Sequence, residues 1–400
     1  MPTVTSENSL QFKLDELARQ GIIKPVTLSA EQSAAPSIAK LKAAVDEGIA
    51  EHNALQGGAK VASTKRAMSV LNNYIGGKNG KPVDLLSQNQ KLYKAEAGGD
   101  EGEAITMPDG RGIVTKGLAL SPAYEEEGFS TCPNSKSCKS SCLGKTSGGY
   151  FFAGGGMDLD KLIGPRMMAF KKTQAFLRNP KEFAIRLNDE ITAAKTIAAM
   201  EGNHLGIRLN VLSDIHPKVW ESLIKAHPDV TFYDYTKNAT KAVAPNHHLT
   251  YSSTGISTPE VHNPNQNWKR MRNMLDQGHN VAMAFSHKSI LPTEVHDEET
   301  GKKYKVVSGD DHDFRPMDMQ QEGYDGVIIG LKNKAATTSE KNAVEKSNGF
   351  FVPYDPKILK QKGVMVRDEF GNPIVQNHTV VIPTQPKASK NVDNDGQVIG

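Results

Sequence analysis

The sequence predicts an α/β protein built on a complete or partial parallel (β/α) barrel, with a helical N-terminal extension. Three observations carry that expectation. From about residue 200 onward, short apolar runs alternate with helical patterns. Polar groups recur just after those runs, where a barrel gathers its active site. All three cysteines of the 400-residue chain follow closely on an early strand-like run. A doubly wound open sheet is the second choice.

Residues 1–100 read as a helical accessory region. Residues 10–18, 34–54 and 64–74 carry helical spacing, and glycines at 57–58 and 76–80 mark loops between and after them. The stretch 97–103, rich in glycine and acid, reads as a linker to an α/β domain at 101–383. There the turn signal at 107–110 precedes a strand at 113–120. A glycine-rich stretch follows the cysteines, and then Pro165 and Pro180 are each placed to open a helix. Further strands are expected at 205–212, 230–235, 249–252, 280–285, 303–307 and 326–331, about seven in all with the first. Helices are expected at 218–226, 236–243 and 266–277. The polar residues 384–400 read as a flexible tail.

Composition narrows the function classes. A formal net charge of +3 is nearly balanced and gives no whole-protein reason to bind nucleic acid. Aromatic residues are 6%, too sparse for a stacking platform. The basic groups Arg166, Lys171 and Lys172, and Lys269, Arg270 and Arg272, read as solvated helix faces. No apolar run is long enough to span a membrane, and the N-terminus lacks the pattern of a secretory signal, so a cytoplasmic protein is expected.

An odd, tight cysteine group suits metal or reactive thiols better than a disulfide framework. Cys132, Cys138 and Cys142 form a C-x5-C-x3-C pattern. Three thiolates on one loop can hold three irons of a 4Fe–4S cluster and leave the fourth open. Lys136, Lys139 and Lys145 would favour the thiolates. Zinc with a distant fourth ligand is the second reading, and thiols without metal the third.

A second constellation, Asp310, Asp311, His312, Asp313 and Arg315, follows the strand that ends near Val307. Carboxylates beside a histidine suit acid–base work or a divalent cation, so Asp310, His312 and Asp313 are catalytic candidates. Ordinary turn chemistry explains the same residues equally well. Asp214, Lys237, His287, Arg315 and Lys332 stand at or just after other strand ends and are candidates for binding substrate or cofactor. Asp214 is equally suited to starting the helix near Pro217. Ser213, Tyr235, Thr236, Ser252, Ser253, Ser286, Lys288 and Lys334 share these positions. His216, His247 and His248 lack metal-ligand spacing and read as ordinary surface or core residues.

Leu120 to Ala123, Thr131 to Pro133, Cys138 and Cys142 resemble the cysteine segment of the bacteriophage gene product 88 domain. So do the runs 207–214, 228–237, 309–315 and 327–332, giving coverage of about residues 113–335. This resemblance implies a phage protein working in the cytoplasm of a host bacterium and supplies no reaction. More distantly, the layout is similar to radical S-adenosylmethionine enzymes, which place a three-cysteine loop after the first strand of a partial barrel. That similarity implies S-adenosylmethionine at the open iron. The usual C-x3-C-x2-C spacing and a Gly-Gly-Glu segment after the second strand are absent here.

Three functions follow as expectations. The first is an iron–sulfur enzyme acting on a nucleotide, nucleic acid or small metabolite. The second is a metal-dependent hydrolase or nuclease with structural zinc. The third is a non-enzymatic factor that binds a host protein through the N-terminal helices.

Overall fold

A computed structural model describes residues 10–21, 23–29, 36–76, 83–98, 104–126, 129–135, 138, 142, 165–238, 240–254, 264–318, 324–334, 350–352 and three short strands near the C-terminus. The chain is a mixed α/β protein with a large, mostly parallel sheet. It divides into two compact units: residues 1–135, 142–249 and 311–317, and residues 136–141, 250–310 and 318–400.

The first unit opens with helices α1 (Leu10–Arg19), α2 (Ile38–Ala54) and α3 (Gly57–Ile75). Ser37 caps α2 by accepting the Lys40 N–H at 3.2 Å. Leu41, Val45, Gly48, Ile49 and His52 then bury one face of it at helical spacing. Leu14, Leu17, Leu41, Val45 and Leu71 of this helical region enter the same buried core as the strands. Gly48 allows a close crossing with the later helix Pro180–Met200, since a Cβ there would stand 2.7 Å from the Lys181 carbonyl oxygen.

Strand β1 (Leu86–Ser87), helix α4 (Gln90–Ala97) and strand β2 (Ile113–Leu118) follow. Asn89 caps α4 through the Leu92 N–H. A small hairpin, β3 (Glu125–Glu126) and β4 (Phe129–Ser130), leads to the first cysteine. Two long helices, α5 (Pro165–Arg178) and α6 (Pro180–Met200), precede β5 (His204–Arg208). A short 3-10 turn (Pro217–Trp220) and α7 (Glu221–Lys225) separate β5 from β6 (Thr231–Thr236), and β7 (His247–Ser252) crosses the boundary of the unit.

The strand order in this unit is β1-β2-β5-β6-β7. β2, β5 and β6 are parallel, with Ile113 opposite His204 and Gly206 opposite Thr231. Parallel strands need cover on both faces. Leu205, Ile207 and Phe232 pack with Phe176, Phe183 and Trp220 on one face. Phe176 stacks on Trp220 with ring centroids 4.9 Å apart. Leu92, Ala95, Tyr233 and Phe314 pack together in a separate small core. Gly206 makes room there, because a Cβ would lie 3.2 Å from the Phe314 ring.

The second unit has the rest of β7, helix α8 (Pro264–Asp276), and strands β8 (Val281–Ala284), β9 (Glu294–Asp297), β10 (Lys303–Ser308) and β11 (Val327–Leu331). Two residues each of β12 (Val366–Arg367) and β13 (Pro373–Ile374) form a hairpin, and β14 (Thr379–Ile382) pairs with β9. The order is β7-β8-β11-β10-β9-β14. β8, β11 and β10 are parallel; β9 turns back antiparallel to β10. Trp268 of α8 meets the Tyr304 ring edge-on at 5.7 Å.

The expected helix at 236–243 is replaced, among the described residues, by the last residue of β6 and an irregular loop. The Asp214 carboxylate explains the difference, because it takes the backbone N–H of Lys237 and the side chains of Thr236 and Asn238 into its own hydrogen bonds.

Candidate functional site

In the first unit the loops after β2, β5 and β6 come together at the strand ends. Their centre is the turn of Ser121, Pro122, Ala123 and Tyr124. Ala123 has φ of +49°, in the left-handed region that a residue with a Cβ enters at a cost. In that conformation its N–H meets the sulfur of Cys132 at 3.3 Å. The Cys132 sulfur also stands 3.8 Å from the Leu212 carbonyl oxygen.

The turn is held from behind. The Thr131 hydroxyl donates to the Ser121 carbonyl at 2.7 Å and accepts the Tyr124 N–H at 2.9 Å. Thr173 of α5 accepts the Ser121 N–H, and Gln174 donates to the Tyr124 hydroxyl. Tyr124 in turn donates to Glu126, which pairs with Arg178. α5 is therefore buried in spite of its polar residues. Lys172, read as part of a solvated face, lies inside and donates to the Leu85 carbonyl at 2.7 Å. Burial lowers its pKa to about 8. Arg166, Lys171 and Arg272 are buried as well.

Asp214 joins the loops. Its N–H donates to the Thr131 carbonyl at 2.7 Å, one residue before Cys132. Its carboxylate accepts the Thr236 hydroxyl at 2.7 Å, the Asn238 amide at 3.0 Å and the Lys237 N–H at 2.9 Å. Asn134 reaches Asn238 at 3.1 Å. So many internal hydrogen bonds make Asp214 a positioning residue for Cys132.

A charged group lies on the sheet face that carries Gly206 and Tyr233. Asp313 is 1% exposed and pairs with Arg208, from the end of β5, and with Lys91, from α4, at 3.0 Å. The Arg208 guanidinium lies over the Tyr235 ring at 4.6 Å, and Lys91 stands 5.8 Å from the same ring. Burial pushes the Asp313 carboxyl up, but Arg208 and Lys91 outweigh it and hold it well below the usual carboxylate range. Two cations against one carboxylate leave local positive charge, which suits an anionic group. A divalent cation at Asp313 would have to displace both. His312 accepts from Arg315 through Nδ1 at 2.5 Å. Burial, aided by Arg315, lowers its pKa to about 3, so it is a neutral imidazole at physiological pH.

The second unit holds the remaining candidates. Asp310 pairs with Lys334 at 2.5 Å and accepts the Lys332 N–H at 3.4 Å. Gly309 donates to the Gly330 carbonyl, and a Cβ on it would meet Ile329 and Leu331 at 2.7 Å, so this loop must lie close on β11. His287 Nδ1 accepts the N–H groups of Ser289 and Ile290, which fixes the loop after β8. Asn333 donates to the carbonyls of His287 and Ser286.

The structure thus brings Cys132, Asp214 and Lys237 together in one unit, with Asp313, His312 and Arg315 in the same unit. It groups Asp310, Lys332 and His287 around strand ends of the other. Cys132 and Cys142 belong to the first unit and Cys138 to the second, and all three are half-buried. Among the described residues, no three His, Cys, Asp or Glu side chains stand together as metal ligands. Lys136, Lys139, Lys145 and the glycine-rich stretch lie outside the described residues. Sequence reasoning missed Lys91 and Arg208; only the strand-end position of Arg208 could have signalled it.

Residues 84–347 match the family model described as gene product 88. No curated protein and no solved structure matches the chain. Among the described residues no helix is long and apolar enough to cross a membrane.

Proposed function

The chain belongs to the gene product 88 family, and on that footing we propose that Cys132, Cys138 and Cys142 are thiolate ligands of a metal centre, an iron–sulfur cluster ahead of zinc. The observation that carries this reading is the strained Ala123 turn, whose N–H points at the Cys132 sulfur. Strain that persists in a well-supported turn marks a position held for a purpose. A hydrogen bond to sulfur favours the thiolate, the form that binds metal.

When bound, a three-thiolate cluster supplies electron transfer and one open iron, the position at which S-adenosylmethionine would sit. Lys91 and Arg208 would hold an anionic group of a nucleotide or small metabolite, and Asp313 would fix both cations in place. In the first unit Lys237 and Arg315 would bind further polar groups of that substrate, and in the second unit His287 and Lys332 are strand-end candidates of their own.

The test is metal analysis of the full chain after anaerobic reconstitution. About four irons and four sulfides per chain are expected for a 4Fe–4S cluster. One zinc without sulfide would replace the cluster by a structural site. Neither metal at stoichiometric level would end the metal reading.

A further inference from the structure

Away from the strand ends, α2, α3 and α6 of the first unit enclose a cleft of about 340 Å³. Its walls combine Leu55, Ala59, Ala62 and Ile185 with the polar Ser63 and the charged Arg66, Glu51, Lys181 and Glu182. Behind Ser63 lies His52, which is fully buried. The Ser63 hydroxyl stands 3.2 Å from His52 Nδ1, and His52 Nε2 stands 2.8 Å from Asp189 Oδ1. The hydroxyl of Thr64 donates to the other oxygen of Asp189.

The carboxylate fixes the direction of this chain of bonds. An ionised Asp189 can only accept, so His52 carries its proton on Nε2. Nδ1 is then an acceptor, and Ser63 must donate to it. A hydroxyl on the wall of a cleft, donating to a buried imidazole that is oriented by a half-buried carboxylate, is the arrangement of an activated nucleophile. The serine bonds to Nδ1 and the carboxylate to Nε2, and either nitrogen can serve as base when the other is held as a donor.

We propose that Ser63 is a nucleophile activated by His52 and Asp189, and that the cleft takes a short-chain acyl ester. Leu55, Ala59, Ala62 and Ile185 suit a short acyl chain, Glu51 and Lys181 pair with each other at 2.8 Å, and Arg66 suits the developing oxyanion. Ser63 Oγ attacks the ester carbonyl and its proton passes to His52 Nδ1. The bond from the carbonyl carbon to the ester oxygen breaks, and the leaving alcohol takes that proton. Water then attacks the acyl-serine, gives a proton to His52, and releases the acid as Ser63 regains its hydrogen. Asp189 stabilises the imidazolium in both halves and is a positioning residue.

The same bonds would also tie three helices together, so the test must read reactivity. The full chain is treated with an alkyl fluorophosphonate and digested, and the adducts are located by mass spectrometry. One adduct on Ser63 is expected in the wild type and none there in Ser63→Ala. The adduct should form at least about a hundredfold more slowly in His52→Gln, the share that a general base contributes. Asp189→Asn, which keeps the side-chain volume, provides the same comparison if His52→Gln fails to fold. An unlabelled Ser63 in the folded wild type overturns the proposal. So does an unchanged labelling rate in the folded variants.

Discussion

The N–H of Ala123 meets the sulfur of Cys132 at 3.3 Å, and it does so from a left-handed backbone conformation. Glycine reaches that conformation without the steric cost, which is about 1 kcal/mol for a residue with a Cβ. Ala123→Gly should therefore be neutral or stabilising by up to about 1 kcal/mol, after the extra chain entropy of glycine is set against the relief. Ala123→Pro removes the donor and forces φ to a negative value, so it should destabilise by about 2 kcal/mol or more. It should also make Cys132 slower toward a thiol-specific alkylating agent below pH 8. Urea denaturation and alkylation rates check both. An Ala123→Pro protein as stable as wild type would show that this turn is not under the constraint described.

Arg208 and Lys91 converge on Asp313, which lies in the core of the first unit. Removing one member of such a group leaves an uncompensated charge. Asp313→Asn should destabilise by about 3–5 kcal/mol. Lys91→Met should lose much less, about 1 kcal/mol, because Lys91 is about one-third exposed (32%) and already solvated. Equilibrium unfolding in urea would separate the two. Equal losses would mean that Lys91, and not Arg208, is the main partner.

Stability should fall as pH drops from about 6.5 toward 4, before most carboxylates titrate. Burial holds His227 to about 4 and His312 to about 3. Both pKa values are below that of an unfolded histidine, about 6.5. Between those values the unfolded chain takes up protons that the folded protein refuses, so acid favours unfolding. Each histidine contributes on the order of 1–3 kcal/mol across this range. Asp313 acts in the same direction lower down: its depressed pKa gives stability that is present above about pH 4 and lost as pH falls further. Thermal midpoints of wild type and His227→Gln across pH 4–7 check the claim. The variant should show a visibly flatter dependence, and an unchanged slope would remove His227 from the account.

Much of the fold is legible in the sequence because apolar runs reveal strands. The runs at 113–120, 230–235 and 326–331 appear as β2, β6 and β11 within a residue or two. β9, with the sequence Glu294 to Asp297, has three polar residues of four and runs antiparallel to β10, so nothing in its composition announces it. α4 is only eight residues long and carries two lysines, yet it supplies Lys91 and buries Leu92. The site is less legible than the fold. Arg208 and Asp313 are 105 positions apart, as His52 and Asp189 are 137 apart. No local pattern encodes such a meeting; it depends on which strands become neighbours. The cysteines are the opposite case, since their spacing is visible at once but their grouping depends on more than the strand order.

Asp214 ties the segment before Cys132 to the loop after β6, through the Thr131 carbonyl on one side and Thr236, Lys237 and Asn238 on the other. Asp214→Ala would take the carboxylate from the Lys237 N–H and the Thr236 hydroxyl, and would leave the Asn238 amide only its bonds to the Asp214 carbonyl and Thr236, while sparing the Asp214 backbone bond to Thr131. A loss of about 2–3 kcal/mol is expected, given the strength of hydrogen bonds to a charged acceptor. Hydrogen exchange should then quicken at Lys237 and Asn238 first, and at Thr131 and Cys132 only as the two loops separate. Asp214→Asn keeps one acceptor oxygen and should lose about half as much. If instead Asp214→Ala kept wild-type stability and exchange, while metal uptake or substrate binding was lost, Asp214 would be a ligand and not the brace that its hydrogen bonds describe.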